Sequence, residues 1–179
     1  MHVEKSIEVD APVNRVYNQW TQFEEFPKFM QGIEQVRQLD DKRLHWIAEV
    51  GGRRKEWDAE IFEQVPDQKI AWRSTSGAPN TGIVSFRPLA PNRTQVTVRM
   101  EYDPEGPVET VGSALGAVGG RIEGDLKRFR DFIQTRLRET GAWRGEIHGG
   151  RVESTGDGTS PSSSPGTPGY GTTGKSGLP

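Results

Sequence analysis

The stretch GPVETVGSALGAVGGRIEGDLKRFRDFIQTRLR, residues 106–138, decides the fold. Apolar residues recur in it at every third or fourth position, and this spacing predicts one long helix with a single apolar stripe. The stripe consists of Val111, Leu115, Val118, Ile122, Leu126, Phe129 and Ile133. Several glycines lie in the first half of this helix, and each costs about 1 kcal/mol against alanine in a helix interior. We therefore expect them to serve close backbone packing or an open space beside the helix.

The residues before this helix alternate between apolar and polar in short segments, which is the pattern of strands with one buried face. One strand precedes two short helices, which follow Asp10 and Thr21, and about six strands come after them. Because no helix-length segment separates these later strands, they predict an antiparallel meander. The predicted fold class is α+β: a helix-grip fold with a curved antiparallel sheet of about seven strands around one long C-terminal helix.

Composition divides the chain into three parts. Residues 1–140 are predicted to form one domain, and residues 141–153 form a transition segment in which Trp143 either folds back or is free. Residues 154–179 are almost entirely Gly, Ser, Thr and Pro, so a disordered tail is predicted there. The tail is interpreted either as a solubilising end or as a segment that binds a partner.

Charge and residue usage exclude several classes of function. The chain of 179 residues has a formal net charge of -2, which does not favour nonspecific nucleic-acid binding. It has no cysteine, and this excludes disulfides, thiolate zinc sites and cysteine nucleophiles. The sequence shows neither a secretory leader nor an apolar run of about 18 residues. We therefore expect a cytoplasmic location and no stable membrane insertion.

Three segments resemble a known superfamily. IEVDAPVNRVYNQWTQFEEFPKFMQGIEQV at residues 7–36 is similar to the opening of polyketide cyclase/dehydrase-like and START-like (SRPBCC) proteins. EWDAEIFEQVPDQKIAWRS at residues 56–74 and LKRFRDFIQTR at residues 126–136 resemble their middle and terminal helix. The similarity covers residues 1–138 and is nearest to bacterial coenzyme-Q-binding-type START proteins. It implies a helix-grip fold with a deep apolar pocket for lipid-like or aromatic ligands, and it supplies no shared catalytic motif.

The predicted inner face of the sheet carries no carboxylate or imidazole. The three histidines are scattered, and His45 falls on the outer face, so no metal site, cofactor or catalytic residue is predicted. Trp46, Trp57 and Trp72 share the inner side, where they either pack as ordinary core or line a pocket. The residues predicted to bind a ligand are Trp46, Trp57, Trp72, Phe86, Met100, Tyr102, Gly116 and Gly120.

Three functions remain open at this point. The first is binding or transport of an apolar or aromatic small molecule, such as a lipid, a quinone or a polyketide-like compound, in an internal cavity. The second is a polyketide cyclase or dehydratase, which needs Tyr102, Arg73 or another polar group inside the cavity. Tyr102 and Ser74, at strand ends on the inner face, are candidate polar anchors for a ligand. The third is a protein-interaction module that uses the tail or the basic turn Arg53–Lys55. That turn is either a solvated hairpin tip or a transient contact with anionic lipid head groups or an acidic partner.

Overall fold

The computed structural model describes residues 2–50, 52–102, 111–136 and 138–154. The side chains of residues 102, 111–115 and 154 lie outside this description, as do the tail after residue 154 and the first five residues of the predicted long helix. The helices are α1 (Val13–Trp20), a 3₁₀ helix (Phe23–Lys28) and α2 (Val111–Gln134). The strands are β1 (His2–Val9), β2 (Ile33–Gln38), β3 (Arg43–Val50), β4 (Arg53–Val65), β5 (Lys69–Gly77), β6 (Asn80–Ala90), β7 (Arg93–Tyr102), β8 (Glu146–His148) and β9 (Arg151–Ser154).

Seven strands pair antiparallel in one curved sheet, in the order β1-β7-β6-β5-β4-β3-β2. β8 and β9 join the same sheet beside β4. The meander from β2 to β7 follows chain order, and β1 joins it at the far edge by pairing with β7. The α+β class and the helix-grip arrangement are confirmed. The strand number needs a correction, because the described residues form nine strands rather than about seven.

The two additional strands come from the segment after α2, which we call the C-terminal strap (residues 138–154). β3 leaves β4 after the pair Arg43–Glu60, and β8 pairs with β4 further along, where Ile147 lies opposite Gln64. Trp143 packs against the core, and Ile147 within it is fully buried. The strap is therefore part of the packed structure.

Charged and polar side chains fix the strap to the first helix and to the turn after β4. Arg144 donates two hydrogen bonds to the carboxylate of Asp67, from Nη1 to Oδ1 at 2.9 Å and from Nη2 to Oδ2 at 2.7 Å. Gln19 of α1 exchanges two hydrogen bonds with Thr140, both at 3.0 Å. Such paired planar contacts position the strap as well as holding it.

The apolar stripe of α2 packs as its spacing predicts. Leu126, Phe129 and Ile133 are each at most 2% exposed, and the ring centroids of Phe129 and Trp20 lie 4.7 Å apart. α2 ends at Gln134, four residues before the end of the predicted helix. Over the parts of the chain described, neither α1 nor α2 is both long and apolar enough to cross a bilayer.

Candidate functional site

A cavity of about 360 Å³ lies between α2 and the inner face of the sheet. Small-molecule pockets range from about 300 to 1,000 Å³, so this cavity is at the small end. Residues of α1, the 3₁₀ helix, β2–β7 and α2 form its wall. They include Trp20, Phe23, Phe26, Met30, Ile33, Leu44, Trp46, Ala48, Val50, Trp57, Ala59, Ile61, Ile70, Trp72, Val98, Met100, Val118, Ile122 and Leu126. The wall is thus overwhelmingly aromatic and aliphatic.

Two of the tryptophans form a stacked pair in this wall. Trp46 of β3 and Trp57 of β4 occupy directly opposed positions of the antiparallel pair. Their ring centroids lie 5.8 Å apart and the ring planes differ by 6°. Opposed residues on one face of a sheet are close enough for aromatic pairs to interact. The pair therefore presents a broad, flat aromatic surface to the cavity.

The third tryptophan depends on a glycine in the neighbouring strand. Trp72 of β5 lies opposite Gly82 of β6, and a Cβ at Gly82 would come within 2.3 Å of the indole ring. The missing side chain is therefore what lets the indole lie across β6. Its Nε1 donates a hydrogen bond to Oδ1 of Asn80 at 3.2 Å, so the polar end of the ring is satisfied within the protein.

The segment around the 3₁₀ helix closes one side of the cavity. Phe23, Phe26 and Met30 line the space, and the ring of Phe26 meets Trp46 edge-on with centroids 5.8 Å apart. The short helix buries Phe23 and Phe26 on one side and leaves Glu24 and Lys28 exposed. We call Phe23, Phe26, Phe29 and Met30 the apolar plug.

Three side chains of α2 form hydrogen bonds with the backbone of the residues that follow the 3₁₀ helix. Arg121 Nη2 donates to the carbonyl of Gln31 at 2.6 Å, and Asp125 Oδ1 accepts from the amide of Gln31 at 2.9 Å. Arg128 Nε donates to the carbonyl of Phe29 at 2.8 Å. The plug is therefore positioned by α2 through both packing and hydrogen bonds.

Ionisable groups are scarce in the wall. Among the described lining residues only Lys55, Arg121 and Asp125 carry one. Arg121 and Asp125 bond to the backbone of Gln31, and Asp125 also accepts from Arg128 at 2.5 Å. General acid–base catalysis needs a titratable group free to face the substrate. This arrangement suits the binding of an apolar body better than proton transfer.

The predicted strand residues are brought together for the most part. Trp46, Trp57, Trp72 and Met100 line the cavity. Phe86 is 5% exposed and lies outside the cavity wall, in edge-on contact with the rings of Tyr17 and Trp20. The side chain of Tyr102 lies outside the described residues. Contact of these side chains with a ligand stays a prediction.

The two predicted helix glycines lie away from the cavity wall. Gly116 and Gly120 are exposed, and a Cβ at either would meet nothing within 4 Å. Gly119, which lies between them in α2, is buried, and a Cβ there would lie 3.3 Å from Lys5 Cε and 3.7 Å from Val3 Cγ1. A side chain at Gly119 would therefore meet β1, whereas Gly116 and Gly120 have open space.

Arg73, a candidate for catalysis, and Ser74, a candidate ligand anchor, both bond to other residues of the protein. Arg73 is exposed on the outer face and pairs with Glu60, Nη2 to Oε2, at 3.1 Å. Ser74 Oγ accepts a hydrogen bond from the backbone amide of Asn80 at 3.0 Å. Lys42 and Arg73 together hold the pKa of Glu60 below its ordinary value. The ion pairs of Glu60 thus lie on the outer face, whereas the Ser74–Asn80 bond lies beside the cavity-lining Trp72.

The histidines lie among carboxylates on strand surfaces. His45 Nδ1 is 2.6 Å from Asp58 Oδ1, and this hydrogen bond lowers the pKa of Asp58. His148 of the strap lies between Glu63 and Glu146, whose hydrogen bonds raise its pKa. No group of three His, Cys, Asp or Glu within the described residues could hold a metal ion.

Sequence reasoning missed the polar edge of the cavity. Arg121 and Asp125 flank Ile122 of the apolar stripe and are four residues apart, so they share a side of α2. That spacing is a usable signal for residues at the border between the apolar stripe and solvent. Asn80 follows a short loop, and no local pattern marks it as a partner of Trp72.

The fold and the cavity define a helix-grip protein with an apolar interior. Comparison with known proteins agrees: the family model described as polyketide cyclase/dehydrase and lipid transport matches residues 9–130. The chain therefore belongs to that family, and the resemblance to polyketide cyclase/dehydrase-like proteins seen in the sequence is confirmed.

Individual proteins are similar to most of this chain. The uncharacterized 17.2 kDa protein in the melC2-rnhH intergenic region of Streptomyces lincolnensis is 48% identical over 146 residues, covering 81% of this chain and 97% of that protein. The crystal structure of the Zhui aromatase/cyclase from Streptomyces sp. R1128 is similar with a TM-score of 0.67 and 19% identity, covering 79% of this chain and 98% of that one. A START superfamily protein from Mycobacterium smegmatis has a TM-score of 0.64 and 18% identity, covering 74% and 97%. At such identities the two structures show the fold alone.

Proposed function

We propose that the protein binds and carries an apolar or aromatic small molecule in the cavity under α2. The observation that carries this proposal is the chemistry of the wall, in which aromatic and aliphatic side chains surround about 360 Å³. Burial of apolar surface contributes roughly 25 cal/mol per Å², so such a wall favours an apolar body without any specific polar contact. The family description, which includes lipid transport, supports the same reading.

The volume limits the size of the body that fits inside. An apolar cavity of about 150 Å³ accommodates benzene, and by the same ratio about 360 Å³ accommodates roughly 14 non-hydrogen atoms. Two or three fused rings have this size, and the flat pair Trp46–Trp57 offers a matching surface. A long lipid or quinone tail would extend beyond the cavity.

The first experiment is native mass spectrometry of the purified protein, combined with organic extraction. We expect a stoichiometric apolar passenger, or stoichiometric binding of the tricyclic hydrocarbon fluorene measured by calorimetry. Absence of a passenger together with absence of fluorene binding would contradict the carrier function. That result would favour the interaction-module alternative.

A cavity-filling variant tests where the molecule binds. Ala59 is 2% exposed and lines the cavity, so Ala59→Phe should reduce fluorene affinity at least about fivefold, since overfilling a packed site costs about 1–3 kcal/mol. Ala117→Phe is the matched control, because Ala117 is exposed on α2 and does not line the cavity. Circular dichroism checks that both variants fold. Equal affinities in the two variants would place the binding site elsewhere.

A polyketide cyclase or dehydratase is the second candidate, and the family match together with the likeness to an aromatase/cyclase favours it. Within the described wall, proton transfer would fall to Lys55 or Asp125, and Asp125 already accepts two hydrogen bonds. Mass spectrometry separates the candidates: a carrier returns an added polyketide-like compound unchanged, whereas a dehydratase returns it with one water missing.

A further inference from the structure

A surface groove adjoins the cavity and has a different chemistry. It measures about 770 Å³ and lies between α2 and the chain segment from Gln31 to Glu34. Its polar side chains come from Gln31, Glu34, Glu49, Arg121 and Arg128, and its remaining surface includes glycine backbone. The groove therefore offers more polar groups for hydrogen bonding than the largely apolar cavity wall.

The groove and the cavity share a boundary. Ile33 and Arg121 line both spaces, so these two side chains separate them. Besides its bond to Gln31, Arg121 donates from Nη1 to the carbonyl of Glu49 at 3.4 Å. Both acceptors are backbone carbonyls in exposed surroundings, which water can satisfy if the guanidinium turns away. A ligand that spans the boundary would therefore meet Arg121 as a hydrogen-bond donor.

Gly32 shapes the position of that guanidinium. A Cβ at Gly32 would lie 2.5 Å from Nη2 of Arg121 and 2.8 Å from the carbonyl oxygen of Glu49. The backbone of Gly32 has φ +78, a conformation that glycine adopts readily. At the junction between the two spaces, the side chain of Arg121 therefore lies directly against the backbone of Gly32.

The charges of the groove balance. Arg121 and Arg128 contribute two positive charges, and Glu34 and Glu49 contribute two negative ones. Glu34 also pairs with Arg54, Oε2 to Nε, at 3.5 Å. A balanced site attracts neither anions nor cations strongly, because opposite contributions to its potential cancel. It favours a neutral group that can accept and donate hydrogen bonds.

We propose that the groove is the second half of the ligand site and that the ligand is amphipathic. Its ring system fills the cavity, and a neutral hydroxyl-, ether- or amide-bearing chain passes Arg121 into the groove. The guanidinium of Arg121 donates a hydrogen bond to this chain at the junction. The open space beside Gly120, where a Cβ would meet nothing within 4 Å, gives the chain room. This inference rests on the proposed carrier function.

Two probes test the proposal by calorimetry on the full chain. The first is fluorene, and the second is fluorene bearing a short ethylene-glycol chain that ends in a hydroxyl group. The measured quantity is the ratio of their dissociation constants, which isolates the contribution of the chain. Arg121→Met should shift this ratio against the extended probe by about fivefold, the effect of one net hydrogen bond, whatever its effect on fluorene itself.

A second pair of variants tests the groove by occupying it. Gly120→Leu should weaken the extended probe relative to fluorene, because Gly120 lines the groove and is absent from the cavity wall. Gly116→Leu is the matched control, since Gly116 is equally open and exposed but borders neither space. Arg130→Met is the control for Arg121→Met, because it removes a positive charge from the same helix outside both spaces.

The outcomes separate the two proposals. If fluorene does not bind to the unsubstituted protein, the carrier function and this inference both fail. If fluorene binds but the ratio stays the same in both Arg121→Met and Gly120→Leu, the carrier function stands and the groove has no part in the site. A ratio that moves equally in the control variants would also overturn the assignment.

Discussion

Replacement of Ile147 by alanine measures how firmly the C-terminal strap belongs to the domain. Ile147 lies on a strand of three residues, outside the part of the chain that the family model matches, yet its side chain is 0% exposed in the main core. Truncation of a buried isoleucine to alanine costs about 2–5 kcal/mol, because transfer energy is lost and a cavity remains. With about 3 kcal/mol, the expected fall in Tm is roughly 6–12 °C for a domain of this size.

The assay is thermal and urea unfolding of the full chain, with Arg151→Ala as the control. Arg151 is exposed on the neighbouring strand of the same hairpin, so its loss should leave Tm nearly unchanged. Truncation after residue 154 should also leave Tm unchanged, whereas truncation after residue 140 should lower it at least as much as Ile147→Ala. An Ile147→Ala variant that loses less than about 1 kcal/mol would refute the packing described for the strap.

Two further predictions concern stability. Gly82→Ala should destabilise the fold by about 1–3 kcal/mol and shift tryptophan emission, because the added Cβ would collide with the indole of Trp72; unchanged emission and unfolding would contradict that contact. Hydrogen bonds from Glu63 and Glu146 raise the pKa of His148, so its stabilising contribution is complete below about pH 6.5 and is lost as the pH rises through the folded-state value. His148→Gln should remove this part of the fall in Tm between about pH 6 and pH 8, and an unaltered pH profile would contradict it.

Strand alternation was enough to predict most of the cavity wall. Trp46, Trp57 and Trp72 were placed on the inner side because side chains two positions apart in a strand share a face. The structure puts all three in the wall. Alternation shows which face of the sheet a side chain is on, but it does not show whether the cavity extends to that position along the strand. It could not therefore distinguish Phe86 from the lining residues, and Phe86 packs against Tyr17 and Trp20 instead.

Helical spacing held more information than the prediction used. Gly120 lies two residues from both Val118 and Ile122, which is about 200° around the helix, so it faces away from the apolar stripe. Gly119 is adjacent to Val118 and near enough to the stripe to pack on β1. The same angular argument explains why Gly120 borders the outer groove instead of the cavity.

The strap could not be predicted because its strands of three and four residues are too short to show an alternating pattern. The pair Gly149-Gly150 is a weak signal for a turn in the sequence. In the structure both glycines have positive φ and form a tight turn between the paired residues Ile147 and Val152. Contacts such as Arg144 with Asp67 join positions far apart in the sequence, and no local pattern specifies such pairs. Residues 141–153 were therefore treated as a transition segment.

The edge position of β1 has a consequence for how the chain folds during synthesis. Ile7 lies opposite Val96, so β1 must wait for a partner made about 90 residues later, or roughly 5–18 s at 5–20 residues per second. An unpaired strand is a template for aggregation, and charged residues protect it. Glu4 and Glu8 carry such charges, and in the finished sheet they pair with Arg99 and Arg93 of β7. The negative charges that oppose aggregation of the unpaired β1 strand are therefore the same charges that later form ion pairs with β7.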